Sequence, residues 1–149
     1  MKKSYLLLFT SLFGLLTACS KEEEAKPVVN TVTIVTASID NLQQVPSNSS
    51  TARGTFTGTY NSTTNVLDYT VTFQGLVPTS AHIHTGAPGA TGPVVIPFTN
   101  PDVSPIKGTF TLTPELAEKL LNNGTYVNLH TNTLPAYRSG EIRGDIRKQ

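Results

Sequence analysis

Apolar and polar residues alternate along many short stretches of this chain, and alternation with a period of two is typical of half-buried β-strands. The clearest case spans residues 66–73, where Leu67, Tyr69 and Val71 would share one face. Segments rich in glycine, proline and asparagine separate such stretches, so turns follow one another at close intervals. The pattern predicts strands at residues 31–37, 52–60, 66–73, 81–84, 94–98, 106–112, 125–131 and 141–147.

A single segment has the spacing of a helix. Thr113 precedes Pro114, which is the arrangement of an N-cap followed by a proline at the first helical position. Leu116 and Leu120 would lie on one helical face, and Asn123-Gly124 would end the helix. One short helix among about eight strands predicts an all-β protein, namely an antiparallel Greek-key β-sandwich.

The last predicted strand alternates apolar or small residues with charged ones. Ile142, Gly144 and Ile146 would face the interior. The outward positions carry charges of alternating sign, namely Glu141, Arg143, Asp145 and Arg147. We interpret this row as a stripe of surface salt bridges, which contribute little to stability.

The first 18 residues have the pattern of an export signal rather than of a folded segment. Lys2 and Lys3 precede an apolar stretch at residues 6–18, which is shorter than the about 20 apolar residues that span a bilayer. The stretch ends in Leu16-Thr17-Ala18-Cys19, which resembles a bacterial lipobox. The resemblance implies cleavage before Cys19 and acylation of this residue, the only cysteine in the sequence.

Residues 19–30 are predicted to tether this lipid to a domain that spans residues 31–149. Glu22-Glu23-Glu24 resembles the export tags of surface lipoproteins in some bacteria, and a solvated spacer explains the same run equally well. We therefore expect a bacterial cell-envelope protein anchored in the outer membrane, with its domain either inside the envelope or exposed on the surface. The membrane is one expected partner, and an envelope protein or ligand of unknown identity is the other.

Charge and motifs narrow the function classes. Lys and Arg together number 11, Asp and Glu together number 10, and no basic stripe is present, so nucleic acid is not an expected partner. The sequence contains no Gly-x-Ser-x-Gly elbow, no His-Glu-x-x-His pair and no phosphate-binding loop. We identify no catalytic residue and favour a role that is not enzymatic.

All three histidines lie in two predicted strands. His82 and His84 are two residues apart and share a face, and His130 would share a face of another strand with Asn128. Neutral imidazoles on a rigid sheet suit zinc or copper, so the three form a candidate mononuclear metal site. Glu141 would be a fourth ligand or, like Asn128, a partner that orients a ring. Alternatively, the rings close one end of the sandwich by hydrogen bonding to loop backbone.

Four motifs occur in order along the domain: AHIHTG at residues 81–86, GPVV at 92–95, GTYVNLHT at 124–131 and GEIRGDI at 140–146. With the segments at 43–46 and 52–54, they resemble the CHRD domain, a module first described in the developmental protein chordin. Ser47 stands where the family usually has a second proline. The resemblance implies a Greek-key β-sandwich but no firmly known activity. The His-x-His strand also resembles copper/zinc superoxide dismutase, whose larger ligand set three histidines cannot supply.

We therefore expect a lipid-anchored envelope protein whose single domain is a non-catalytic binding or scaffolding module. The alternative is a protein that binds zinc or copper, or uses such a metal in redox chemistry, through His82, His84 and His130. A metal site requires ring nitrogens that converge, whereas a binding module needs an exposed apolar or aromatic patch. The candidate residues for such a patch are Tyr60, Phe98, Tyr126 and Tyr137.

Overall fold

The computed structural model describes residues 31–149, and the predicted signal segment, Cys19 and the tether lie outside the described residues. Within this range nine strands form two antiparallel sheets, one of five strands and one of four, with a single α-helix. The predicted all-β sandwich is therefore confirmed. No helix among residues 31–149 is long and apolar enough to cross a bilayer.

The strands divide between the two sheets by repeated crossing. They are β1 Val32–Ile39, β2 Arg53–Asn61, β3 Val66–Gln74, β4 Ser80–Thr85, β5 Val94–Pro97, β6 Ile106–Thr111, β7 Thr125–His130, β8 Ile142–Asp145 and β9 Arg147–Lys148. The larger sheet has the order β6-β3-β2-β1-β9, and the smaller sheet has the order β5-β4-β7-β8. The chain thus leaves the larger sheet after β3, returns for β6, and leaves and returns again at its end.

The core lies between the sheets and follows from the alternation in the sequence. Phe56 and Val71 from the larger sheet are fully buried, as are Val127 and Ile142 from the smaller one. Complete burial of such a side chain contributes about 1.5 to 3 kcal/mol. The core therefore fixes which face of β4, β7 and β8 points inward, and with it which residues point the other way.

The helix α1, Pro114–Leu121, begins as the sequence predicts. The Thr113 hydroxyl accepts a hydrogen bond from the backbone N–H of Leu116 at 3.3 Å, and Pro114 occupies the first turn. The buried residues Ala117 and Leu120 pack the helix against the core. An N-cap of this kind contributes about 1 kcal/mol.

The end of the chain departs from the prediction of one strand at residues 141–147. The backbone N–H of Ile146 donates to the carbonyl of Thr125, and the side chain is fully buried. This buried residue lies between β8 and β9, so the chain passes from the smaller sheet to the larger one there. Residues 134–140, predicted as a loop, contain a short 3₁₀-helix at Pro135–Ser139.

The interpretation of the last strand as a surface charge stripe is wrong. Glu141, Arg143 and Asp145 are 6%, 1% and 8% exposed, respectively. Their face of the smaller sheet is overlain by loop residues 41–50 and 86–93, which hydrogen-bond with them. A strand pattern shows that these residues point away from the core, but it does not show that loops cover them.

Candidate metal centre

The register of the smaller sheet brings the three histidines together. Strands β4 and β7 are antiparallel neighbours in which His82 faces Asn128 and Ser80 faces His130. His130 is therefore one diagonal step from His82, and His84 is the next outward residue along β4. Because Ile83 points into the core, both β4 histidines lie on the loop-covered face of the sheet.

The rings lie within reach of one another. Nδ1 of His82 is 3.4 Å from Nε2 of His130, and one ligand atom from each of the three residues lies within 4.8 Å of the others. A tetrahedral ion with bonds of about 2.0 to 2.1 Å holds its ligand nitrogens about 3.4 Å apart. One edge of the cluster already has this length, and the remaining edges, which are no longer than 4.8 Å, would close by at most about 1.4 Å on loading. We call these three residues the histidine cluster.

Backbone carbonyls orient two of the rings. Nδ1 of His84 lies 3.0 Å from the carbonyl oxygen of Gly92, and Nδ1 of His130 lies 2.9 Å from that of Arg138. A carbonyl oxygen only accepts, so both Nδ1 atoms carry the proton and both Nε2 atoms present a lone pair. Metal-binding histidines use this arrangement, since the hydrogen bond fixes the tautomer and the ring orientation.

The lone pair of His84 has no partner. Nε2 of this ring is buried, and no described residue forms a hydrogen bond with it. Leaving a buried polar atom unsatisfied costs about 1 to 3 kcal/mol, and such atoms in folded proteins often mark an ion or water site. Nε2 of His84, which the Gly92 contact leaves free for a ligand, is therefore also the buried nitrogen that lacks a partner.

All three rings are held in the neutral form. Burial, followed by repulsion from His130 and His84, lowers the pKa of His82 from 6.5 to about 4. Burial is also the main cause that lowers the pKa of His84 and that of His130. A metal binds only an unprotonated ring nitrogen, so protons compete little with a metal for the histidine cluster at pH 7.

Glu141 and Asn128 make other contacts. The Glu141 carboxylate accepts hydrogen bonds from the hydroxyls of Ser50 and Thr131. The Asn128 side chain donates to Gln44 Oε1 at 2.8 Å and to the Ile142 carbonyl at 2.9 Å. Within the described range the converging ligand atoms come from the three histidines and do not include Glu141. Metal-binding roles for these residues stay predictions.

A second group of residues, to which sequence analysis assigned no role at the metal site, lies beside the cluster. The Tyr126 ring stacks on the His84 ring, with centroids 4.8 Å apart and planes 7° from parallel, and the Arg143 guanidinium lies 3.6 Å from the centre of the Tyr126 ring. Arg143 also pairs with Asp145 at 2.8 Å. The signal that could have found them is strand alternation, which places all these residues on the face that carries the histidines.

The aromatic patch expected for a partner-binding module is absent among the predicted residues. Tyr60, Phe98, Tyr126 and Tyr137 are each less than 10% exposed. Phe98 stacks on the core residue Tyr69, and the Tyr60 hydroxyl donates to Asn65. These aromatic residues therefore stabilise the fold and do not form a docking surface.

A family model described as the CHRD domain matches residues 35–146, which is nearly all of the described chain. No curated protein and no solved structure matches.

Proposed function

The chain belongs to the CHRD domain family, and we propose that its domain binds one zinc or copper ion through His82, His84 and His130. The convergence of the three rings on one loop-covered sheet face carries this proposal. The domain would then be a binding module without catalytic residues of its own.

The contacts support one ligand atom for each histidine. Nε2 serves in His84 and His130, because backbone carbonyls hold the proton on Nδ1 of both rings. In His82 the ligand is Nδ1, the atom that lies 3.4 Å from Nε2 of His130. Without metal, Nδ1 of His82 donates to Nε2 of His130, because the His130 proton is on Nδ1. When a metal binds, the His82 proton would move to Nε2, and this ring is more exposed than the other two. Three imidazoles leave a fourth position for water or a small ligand on the His82 side.

Two observations favour metal binding over the hypothesis that the rings only close the sandwich. Backbone contacts satisfy one nitrogen of His84 and one of His130, but the buried Nε2 of His84 has no partner. In addition, three imidazoles face one another, an arrangement in which burial lowers the pKa of each. A ring that only fills space does not need two further titratable rings beside it.

We further propose that the domain is anchored to the bacterial outer membrane through acylated Cys19. The lipobox-like sequence and the charged spacer after it support this location. The proposal on metal binding does not depend on it, since all three ligands lie within residues 31–149.

Metal binding is tested by calorimetric titration of residues 20–149, produced without a histidine tag, with zinc and with copper(II). We expect one ion per chain, and we expect the triple variant His82→Ala/His84→Ala/His130→Ala to lose this binding. Asp68→Asn, which alters an exposed carboxylate on the other sheet, is the matched control and should bind as the wild type does. Absence of binding by the folded wild type, or equal binding by the triple variant, would refute the proposal.

A further inference from the structure

Three planar groups stack in a row beside the histidine cluster. Strand β7 lies between β4 and β8, so the ring of Tyr126 lies between His84 on one side and Arg143 on the other. The Tyr126 ring is nearly parallel to that of His84, and the guanidinium lies over the Tyr126 ring at 3.6 Å. A desolvated cation is attracted to an aromatic face at this distance. The row thus restricts rotation of His84 from the side of β7.

The same two residues hold the loop that contacts Nδ1 of His84. Arg143 donates to the carbonyls of Ala90 at 2.7 Å and of Ala87 at 3.2 Å. The Tyr126 hydroxyl accepts from the backbone N–H of Gly92 at 3.2 Å. The loop is therefore held at Gly92, whose carbonyl accepts from His84, and at two residues that precede it.

Gly92 must be a glycine for this loop to approach β4. A Cβ atom at this position would lie 1.8 Å from the carbonyl oxygen of Thr85, far inside contact distance. The close approach lets the Gly92 carbonyl reach Nδ1 of His84. The Gly92 carbonyl and Tyr126 therefore contact the His84 ring directly, and Arg143 acts on it through Tyr126 and the loop.

We propose that Tyr126 and Arg143 are positioning residues that hold His84 with its proton on Nδ1 and Nε2 free for the metal. The inference rests on the proposed metal function, which it deepens. Core packing does not require a charge at residue 143, because that side chain points away from the sandwich interior. Its N–H groups donate to loop carbonyls and to Asp145. Removal of such an ion from water is unfavourable, and hydrogen bonding to the loop that contacts His84 accounts for its placement.

The test compares variants that remove one part of this arrangement each. Tyr126→Leu removes both the stack and the hydroxyl, Tyr126→Phe keeps the stack, and Arg143→Lys keeps the charge without the planar fork. Tyr60→Phe removes a hydroxyl bonded to Asn65 on the other sheet and is the matched control. For each protein, the histidine tautomers of the metal-free form are measured by long-range ¹H–¹⁵N NMR. Zinc affinity and the copper(II) EPR spectrum are then recorded.

We expect Tyr126→Leu and Arg143→Lys to bind zinc 10- to 100-fold more weakly, the range typical of residues that orient metal ligands. Both should also populate the Nε2-protonated tautomer of His84 and change the copper hyperfine splitting. Tyr126→Phe loses the hydroxyl contact to Gly92 and keeps the stack, so it should bind zinc measurably more weakly than the wild type but by less than tenfold. Tyr60→Phe should match the wild type. A residue needed only for folding would lower the melting temperature without moving the tautomer or the spectrum of the folded protein.

Two results would overturn the inference: an Nε2-protonated His84 in the wild type, or unchanged affinity and tautomer in folded Tyr126→Leu. If Tyr126→Leu and Arg143→Lys do not fold, Tyr126→Phe decides, because unchanged affinity and tautomer in that variant would remove the hydroxyl contact from the argument and overturn the proposal. If the wild type binds no metal, the proposed function fails. The tautomer comparison still shows whether Tyr126 and Arg143 position His84.

Discussion

Acid should destabilise this domain through the histidine cluster. The perturbation is a fall in pH, and the comparison is between the wild type and a triple variant, His82→Asn/His84→Asn/His130→Asn, both without metal. In the unfolded chain each histidine takes up a proton near pH 6.5. In the folded protein the pKa of His82 is lowered to about 4, so over this range the unfolded state binds more protons than the folded state.

The sign of the effect follows from this difference. Stability rises with pH wherever the unfolded state binds more protons, so the contribution of His82 is complete above pH 6.5 and is lost as the pH falls towards 4. One pKa unit corresponds to about 1.4 kcal/mol, but the ring is partly exposed and water screens its interactions, so we expect a loss of about 1 to 2 kcal/mol from His82. The lowered pKa of His84 and that of His130 add to the loss in the same direction.

Urea unfolding at pH 7, 6, 5 and 4 measures the free energy of unfolding of both proteins. Carboxylates titrate in both proteins, so their effect cancels when the two are compared. The free energy of unfolding of the wild type minus that of the variant should therefore decrease as the pH falls. The variant is expected to differ in stability at pH 7 as well, and for that reason the slope carries the test. Equal slopes for the two proteins between pH 6.5 and 4 would refute the argument that the fold holds these rings neutral.

Three further perturbations have expected outcomes. Asp145→Ala leaves the guanidinium of Arg143 buried without its carboxylate and should lower the free energy of unfolding by about 3 to 5 kcal/mol in urea; a loss below about 1 kcal/mol would contradict the buried pair. Phe56→Ala in the core should cost about 3 to 5 kcal/mol with an unchanged m-value, and a changed m-value would point to an altered unfolded state. Cys19→Ala should abolish labelling by radioactive fatty acid and release the full-length protein from the membrane fraction, and labelling that persists would refute the anchor.

Much of the fold could be predicted from the sequence, because two opposite faces of a strand are encoded by alternate residues. The alternation located β3 at residues 66–73 within one residue of its observed end, and the Thr113-Pro114 pair located the start of α1. The alternation did not predict the division of residues 141–147 into two strands, and the reason is physical. The crossing at Ile146 depends on a buried site between two sheets, which no local pattern describes.

The candidate site could be predicted only in part, for a similar reason. The His-x-His spacing placed His82 and His84 on one face, but the approach of His130 depends on the pairing register of β4 with β7. The burial of Arg143 depends on a loop that covers its face and contains Ala90 and Ala87, which lie 53 and 56 residues earlier in the chain. Strand alternation indicates the face to which a side chain points, whereas its coverage by a loop depends on the whole fold.

The contacts between the last strands and the loops also determine when the chain can fold. Ser50 bonds to Glu141 across 91 residues, Gln43 to Asp145 across 102, and Gln44 to Asn128 across 84. Contacts this distant along the sequence make folding slow and leave few stable partial structures. A nascent chain that lacks its last ten residues lacks Glu141 and Asp145, the partners of Ser50 and Gln43. If the chain is exported as proposed, it would remain unfolded until its C-terminal strands emerge, which is the state that passage through a membrane requires.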